Sequence, residues 1–218
     1  LFEIALPAAF QFSSPYALAC TLIGIHEYFR RFDGDRFVNQ GRSMIADKLY
    51  ALHSEGSGGP YPWSSVENYC TSTLSHALIL AGRWTGNNSI LDAGLQSLRS
   101  MVKMFTSQKN CFCPVYPVEN AALSGNDQRP VEAWSSVIAC LEAFRTTQDR
   151  MWFTEARKSF EWFLGRNDTS MPLYDSKTGG CCDTLHVDRV NRNEGAEASL
   201  SFYLALAEMH LMENMMAS

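Results

Sequence analysis

Apolar residues recur at intervals of three and four along most of this chain, which is the spacing of one buried helix face. Leu91, Leu95, Leu98 and Val102 make one such run. The pattern predicts seven helices, over about 14–32, 36–53, 68–84, 89–105, 130–146, 150–164 and 195–212. Ser14-Pro15 opens the first with a capping side chain and a proline at the first helical position. No stretch predicts a convincing strand pair. The fold class expected is therefore all-α.

The helices come in pairs. "RFDGDRFVNQG", "WTGNNSILDAG" and "TTQDRMWFTEA" each place a short polar turn before two consecutive apolar residues and a small residue three positions on. This is an internal repeat of helical-hairpin length. Within a pair the connection is short, which makes the two helices antiparallel neighbours. Between pairs it is long, at 55–67, 106–129 and 166–194. Alternation of this kind predicts that all three long loops emerge at one end of a helical array. The third, fifth and seventh helices are rich in small and apolar residues, and the second, fourth and sixth carry more charge. An inner and an outer layer follow. The arrangement expected is an α/α toroid or partial toroid of antiparallel hairpins, forming a single domain over 1–218. Because the chain supplies about three and a half hairpins and starts without a Met, it reads as a fragment of a longer protein.

Net charge is −5, and no basic run exceeds Arg30-Arg31, so a nucleic-acid partner is not expected. No apolar run approaches the roughly 20 residues of a membrane span, and the N-terminus lacks the pattern of a signal peptide. Seven cysteines without regular spacing argue against a disulfide framework and for a reducing, cytoplasmic setting. Cys20, Cys70 and Cys140 read as small buried hydrophobes.

The stretch "TGGCCDTLHVDRVNRNEGAE", 178–197, is too polar for a strand and too rich in Gly and Asn for a helix. Irregular segments of that length inside compact domains are usually functional or disordered. The longer run "EWFLGRNDTSMPLYDSKTGGCCDTLHVDRVNRNEGAEASLSFYLALAEM" resembles the end of a helical domain that follows the catalytic part of some bacterial glycosyltransferases. That family reads WFLGxND, PLYD, TGGCxDGL and NxNxGAES. "YPWSSVENYCTSTLSHALILAG" and "NDQRPVEAW" are similar to its two earlier, looser motifs. The resemblance covers roughly residues 10–213. Thr184, Ser64-Ser65-Val66 and His76 depart from the family pattern. It implies a fold like that of six-hairpin glycosidases and sugar epimerases, a glycan or sugar ligand, and a glycosyltransferase domain as neighbour.

Glu67, Glu132 and Glu197 fall 65 residues apart at the starts of the third, fifth and seventh helices. Each suits the positive end of its helix. Together with Asp127 and Asp183 they also suit an acidic basin. Sugar chemistry at an oxocarbenium-like centre takes two carboxylates, one to donate a proton and one to act as base or nucleophile. The catalytic candidates are Asp183 and Glu197 first, then Asp127 and Glu132. Tyr61, Trp63, Glu67, Tyr116, Trp134, His186, Asn191 and Asn193 are the substrate-binding candidates, as stacking rings and hydrogen-bonding groups of the long loops. Tyr174 belongs with the rings. One of the two asparagines also suits the cap of the seventh helix.

Zinc held by His186 with Cys111, Cys113, Cys181 and Cys182 fits no familiar ligand spacing. Calcium on Asp183, Asp188, Asn191, Asn193 and Glu194 lacks the EF-hand pattern. Neither metal nor cofactor is expected. The leading expectation is a carbohydrate-active or carbohydrate-binding domain. The competing one is a structural or regulatory module that packs on a catalytic domain, with the acids serving as helix caps.

Overall fold

A computed structural model describes residues 2–32, 34–55, 71–115 and 127–217. Among them the chain is all-α: eight helices, one short 3-10 turn and a two-residue strand pair. The helices are α1 (Phe2–Ala9), α2 (Pro15–Phe29), α3 (Arg36–Glu55), α4 (Thr71–Thr85), α5 (Asn88–Met104), α6 (Pro130–Thr147), α7 (Arg150–Glu161) and α8 (Ala196–Ala217). No helix among the described residues is long and apolar enough to cross a membrane. The chain divides into two compact units, Leu1–Met101 and Val102–Ser218.

Seven of the helices match the periodicity, and α1 is additional. It forms over a stretch where the periodicity predicts no helix. Its apolar side chains find a core: Leu6 and Ala9 are buried with residues of α2 and α3. Pro7 lies inside the helix, where it lacks an N–H and so helps end it early. In α2 the cap is as expected. Ser14 Oγ accepts from Ala17 N and Pro15 opens the helix. Helix α7 stops at Glu161 and tightens into the 3-10 turn Trp162–Leu164, which ends on Gly165 at φ +93°. The interior of the first unit is built from Leu18, Leu22 and Ile25, Val38, Ile45 and Leu49, and Leu74 and Leu78, all buried.

Helix α4 is buried at every residue from Thr71 to Gly82, and α6 nearly throughout from Pro130 to Phe144. Both therefore behave as inner helices. Helices α3, α5 and α7 bury one stripe each. Helix α8 departs from the two-layer expectation. It buries Ala198, Ser201, Phe202, Ala205, Met209 and Met212, yet Leu200, Tyr203, Leu204, Leu211 and Met215 are exposed. The small residues of the repeat mark close helix crossings. A methyl group on Gly82 would meet the Leu91 backbone, and one on Gly94 would lie 2.8 Å from Ile79 N. Contacts at 82–91 and 79–94 fix α4 and α5 as an antiparallel hairpin.

Candidate functional site in the second unit

Two segments in the second unit run into the starts of inner-type helices: 127–129 into α6, and the irregular chain 166–195 into α8. The structure joins them. Gln128 and Leu185 form an antiparallel bridge, each N–H donating to the other's carbonyl at 2.9 Å. Thr184–Leu185 (β1) also pairs with Val190–Asn191 (β2). Two-residue strands are too short to show alternation, which is why the sequence predicts no pair here. Gln128 is held in turn from the core, where buried Trp162 Nε1 donates to its Oε1 at 2.7 Å.

The irregular chain is fastened along its length. Asn167 Nδ2 donates to the carbonyls of Trp162 and Met171. Tyr174 pairs with Cys181 across a small bridge. Tyr203 of α8 donates its hydroxyl proton to Gly179 O at 2.7 Å, and Thr178 donates to Glu194 at 2.9 Å. Gly179 takes φ +77°, a conformation that suits glycine. Gly195 is needed for space, since a methyl group there would stand 2.6 Å from Asp183 Oδ1.

Asp183 is the hub. Its Oδ1 accepts from Gly195 N at 2.7 Å, its Oδ2 accepts from Asn193 Nδ2, and its own N–H donates to Asn193 O at 2.8 Å. Both carboxylate oxygens are thus already committed to the turn that starts α8. Asp183 performs the bracing expected of an asparagine cap. Asn193 serves Asp183, and Asn191 Oδ1 accepts from Asn193 N at 3.1 Å. Glu197 pairs with Arg129 at 2.7 Å, and Asp127 with His186 Nδ1 at 2.5 Å. The Glu197–Arg129 ion pair and the Asp127–His186 contact flank the Gln128–Leu185 bridge and tie the approach to α6 to the approach to α8. Glu132 is buried at 3% exposure in the first turn of α6. Trp134 is half-buried on the same helix.

Four candidates, Tyr61, Trp63, Glu67 and Tyr116, lie outside the described residues, as does Cys70. The other eight lie in the second unit. Asp127, Asp183, His186, Asn191, Asn193 and Glu197 gather at the joined starts of α6 and α8. They gather as partners of one another and of the backbone. A general acid needs a carboxyl free to donate its proton to a leaving group. Each Asp183 oxygen already accepts one hydrogen bond from the turn, and Glu197 is paired with Arg129, so both carboxylates serve the fold.

Sequence reasoning missed a cleft of about 540 Å³ bordered by Tyr174, Asp175, Cys182, Asp188, Arg189 and Arg192. None of the twelve candidates borders it. The PLYD segment does, and Tyr174 within it, already named among the loop rings, was the available signal.

The thiols are poor candidates for chemistry. Burial pushes Cys181 and Cys113 up to about 12, with neighbouring negative groups adding to it. Both stay protonated at neutral pH, which disfavours a nucleophile role. Cys20 is exposed rather than buried, whereas Cys181 and Cys182 are buried. Among the described residues no three His, Cys, Asp or Glu side chains are grouped to hold a metal ion.

A pH dependence follows from the raised thiols. The unfolded chain loses these protons near the ordinary thiol value of 9.0 and the folded chain only near 12. Their contribution is fully present below pH 9.0 and declines as pH rises toward 12. Denaturation of wild type and Cys181→Ala across that window checks it. The variant should lose less stability with rising pH.

No protein-family model matches the chain, and comparison with curated proteins finds no relative.

Proposed function

We propose that this chain is a carbohydrate-binding helical module of the α/α-toroid type, associated with a glycosyltransferase catalytic part, and that it holds a glycan without cleaving it. The observation that carries the reading is the fastening of 166–195. Asn167, Tyr203, Thr178, Asp183 and the Gln128–Leu185 bridge hold a long, polar, irregular segment in one shape. A polar surface fixed in advance spends little ordering entropy on binding. The motif resemblance of the same segment supplies the carbohydrate context. The commitment of Asp183 and Glu197 to partners favours binding over hydrolysis. It equally suits a structural module, which is the second reading.

Asp183→Ala separates these readings. It removes two charge-assisted hydrogen bonds at the start of α8, each worth about 1.5–3 kcal/mol to a charged group. Stability should fall by about 2–4 kcal/mol, and glycan binding by the purified chain should weaken with it. Wild-type protein should release no new reducing ends from oligosaccharides. Release abolished by Asp183→Asn would overturn the non-hydrolytic reading. Loss of stability in a chain that binds no glycan at all would establish the structural module instead.

A further inference from the structure

We infer that the cleft bordered by Tyr174, Asp175, Asp188, Arg189 and Arg192 is the glycan subsite, and that it takes uncharged sugar rings. This rests on the carbohydrate reading above and adds a place and a ligand class to it. At about 540 Å³ the cleft falls within the roughly 300–1,000 Å³ of small-ligand sites. That is room for a short oligosaccharide.

The lining is mixed in the way a sugar requires. Val190 and Tyr174, both half-buried, bring apolar surface. The Tyr174 ring is fixed by stacking on Phe202 at 4.2 Å. Acceptors and donors stand beside them. Asp175 Oδ1 accepts from Lys177 N at 2.8 Å, and its second oxygen has no partner among the described residues. Asp188 and Arg189 pair at 3.0 Å, both more than two-thirds exposed, so water or a ligand hydroxyl exchanges easily with that contact. The Arg192 guanidinium makes no ion pair or hydrogen bond among the described residues.

Two carboxylates and two guanidiniums cancel. An anionic ligand would meet Asp175 and Asp188, and a cationic one Arg189 and Arg192. Neighbouring hydroxyls of a neutral ring instead donate to a carboxylate and accept from a guanidinium, with no charge left unpaired. The backbone that carries Tyr174, Asp175 and Cys182 is fixed, because Asp175 N is tied to Gly180 O and Cys182 N to Leu173 O, at 3.0 and 2.8 Å.

The test uses the full chain and two probe sets: neutral gluco-, manno-, galacto- and xylo-oligosaccharides, and oligosaccharides of the matching uronic acids. Binding is read by titration calorimetry and unfolding by calorimetric midpoint. At least one neutral oligosaccharide should bind better than its acidic counterpart. Asp188→Ala and Arg192→Ala should each weaken it roughly tenfold or more, the scale of one lost charge-assisted hydrogen bond. Both positions are exposed, so the midpoint should hold. Neutral binding retained by both variants, but lost on His186→Ala, would move the subsite out of the cleft and leave the carbohydrate reading standing. Preference for uronic acids would overturn the ligand class alone. No binding of any probe by wild type would overturn the carbohydrate reading itself.

Discussion

Trp162→Ala should be among the most damaging single substitutions in the second unit, costing about 3–5 kcal/mol, the range for truncating a buried aromatic. The indole is fully buried, against Phe112 at 6.5 Å and Phe163 at 5.2 Å between ring centres. Truncation would leave a cavity among rings that have little freedom to close it. It would also strip the Gln128 side-chain oxygen, 2.7 Å from the indole nitrogen, of its donor. Gln128 is only 4% exposed, so water does not readily replace that donor. Leaving one buried acceptor unpaired costs about 1–3 kcal/mol on its own. Trp162→Phe separates the two contributions. It keeps a six-membered ring but removes the five-membered part of the indole together with its N–H, so it should cost less than the alanine change while still losing the bond to Gln128. Chemical denaturation of both variants checks this. Equal losses would mean that the hydrogen bond to Gln128, and not the packing, dominates.

The second large effect is in the first unit. Gly82→Ala adds one methyl group where α4 crosses α5. An added Cβ would lie 2.6 Å from Leu91 Cα. That neighbour is backbone, and a side-chain rotation does not relieve the clash. The hairpin must separate, at about 3 kcal/mol, near the upper end for overpacking. Gly24→Ala is the control. Nothing lies within 4 Å of its added methyl, and Gly24 is inside α2. There alanine should stabilise by about 0.5–1 kcal/mol through helix propensity. Thermal midpoints should therefore move in opposite directions for one chemical change. A neutral Gly82→Ala would show that α4 and α5 approach less closely than the contacts at Gly82 and Gly94 require.

Neither Trp162 nor Gly82 stood out in the sequence, but the hairpins around them did. The recurrence of a small residue after an apolar pair, at Gly41, Gly94 and Ala156, is local and periodic, and it is repeated in the hairpins that form. Ser14-Pro15 announces its helix because the capping oxygen and the N–H that donates to it lie three residues apart. The site was legible only as a neighbourhood. Asp127, Asp183 and Glu197 lie near the starts of α6 and α8, but their partners could not be read. Asp183 bonds Gly195, and Glu197 bonds Arg129, across loops whose path no periodicity records. The cleft was missed for the same reason. It exists only once PLYD and the β1–β2 turn are folded against each other.

The Gln128–Leu185 bridge has a consequence for the order of folding. Helices α6 and α7 meet across a two-residue turn, so their contact forms early and locally. Asp127 and His186 are 59 residues apart in the chain, and Arg129 and Glu197 are 68 apart. Closing loops of that length loses chain entropy before any contact rewards it. The bridge and the two side-chain contacts beside it are therefore expected to form late in the second unit, and faster amide hydrogen exchange at Gln128 and Leu185 than within α6 would show them opening first. The same few contacts that hold the polar segment in shape set the threshold at which it comes undone.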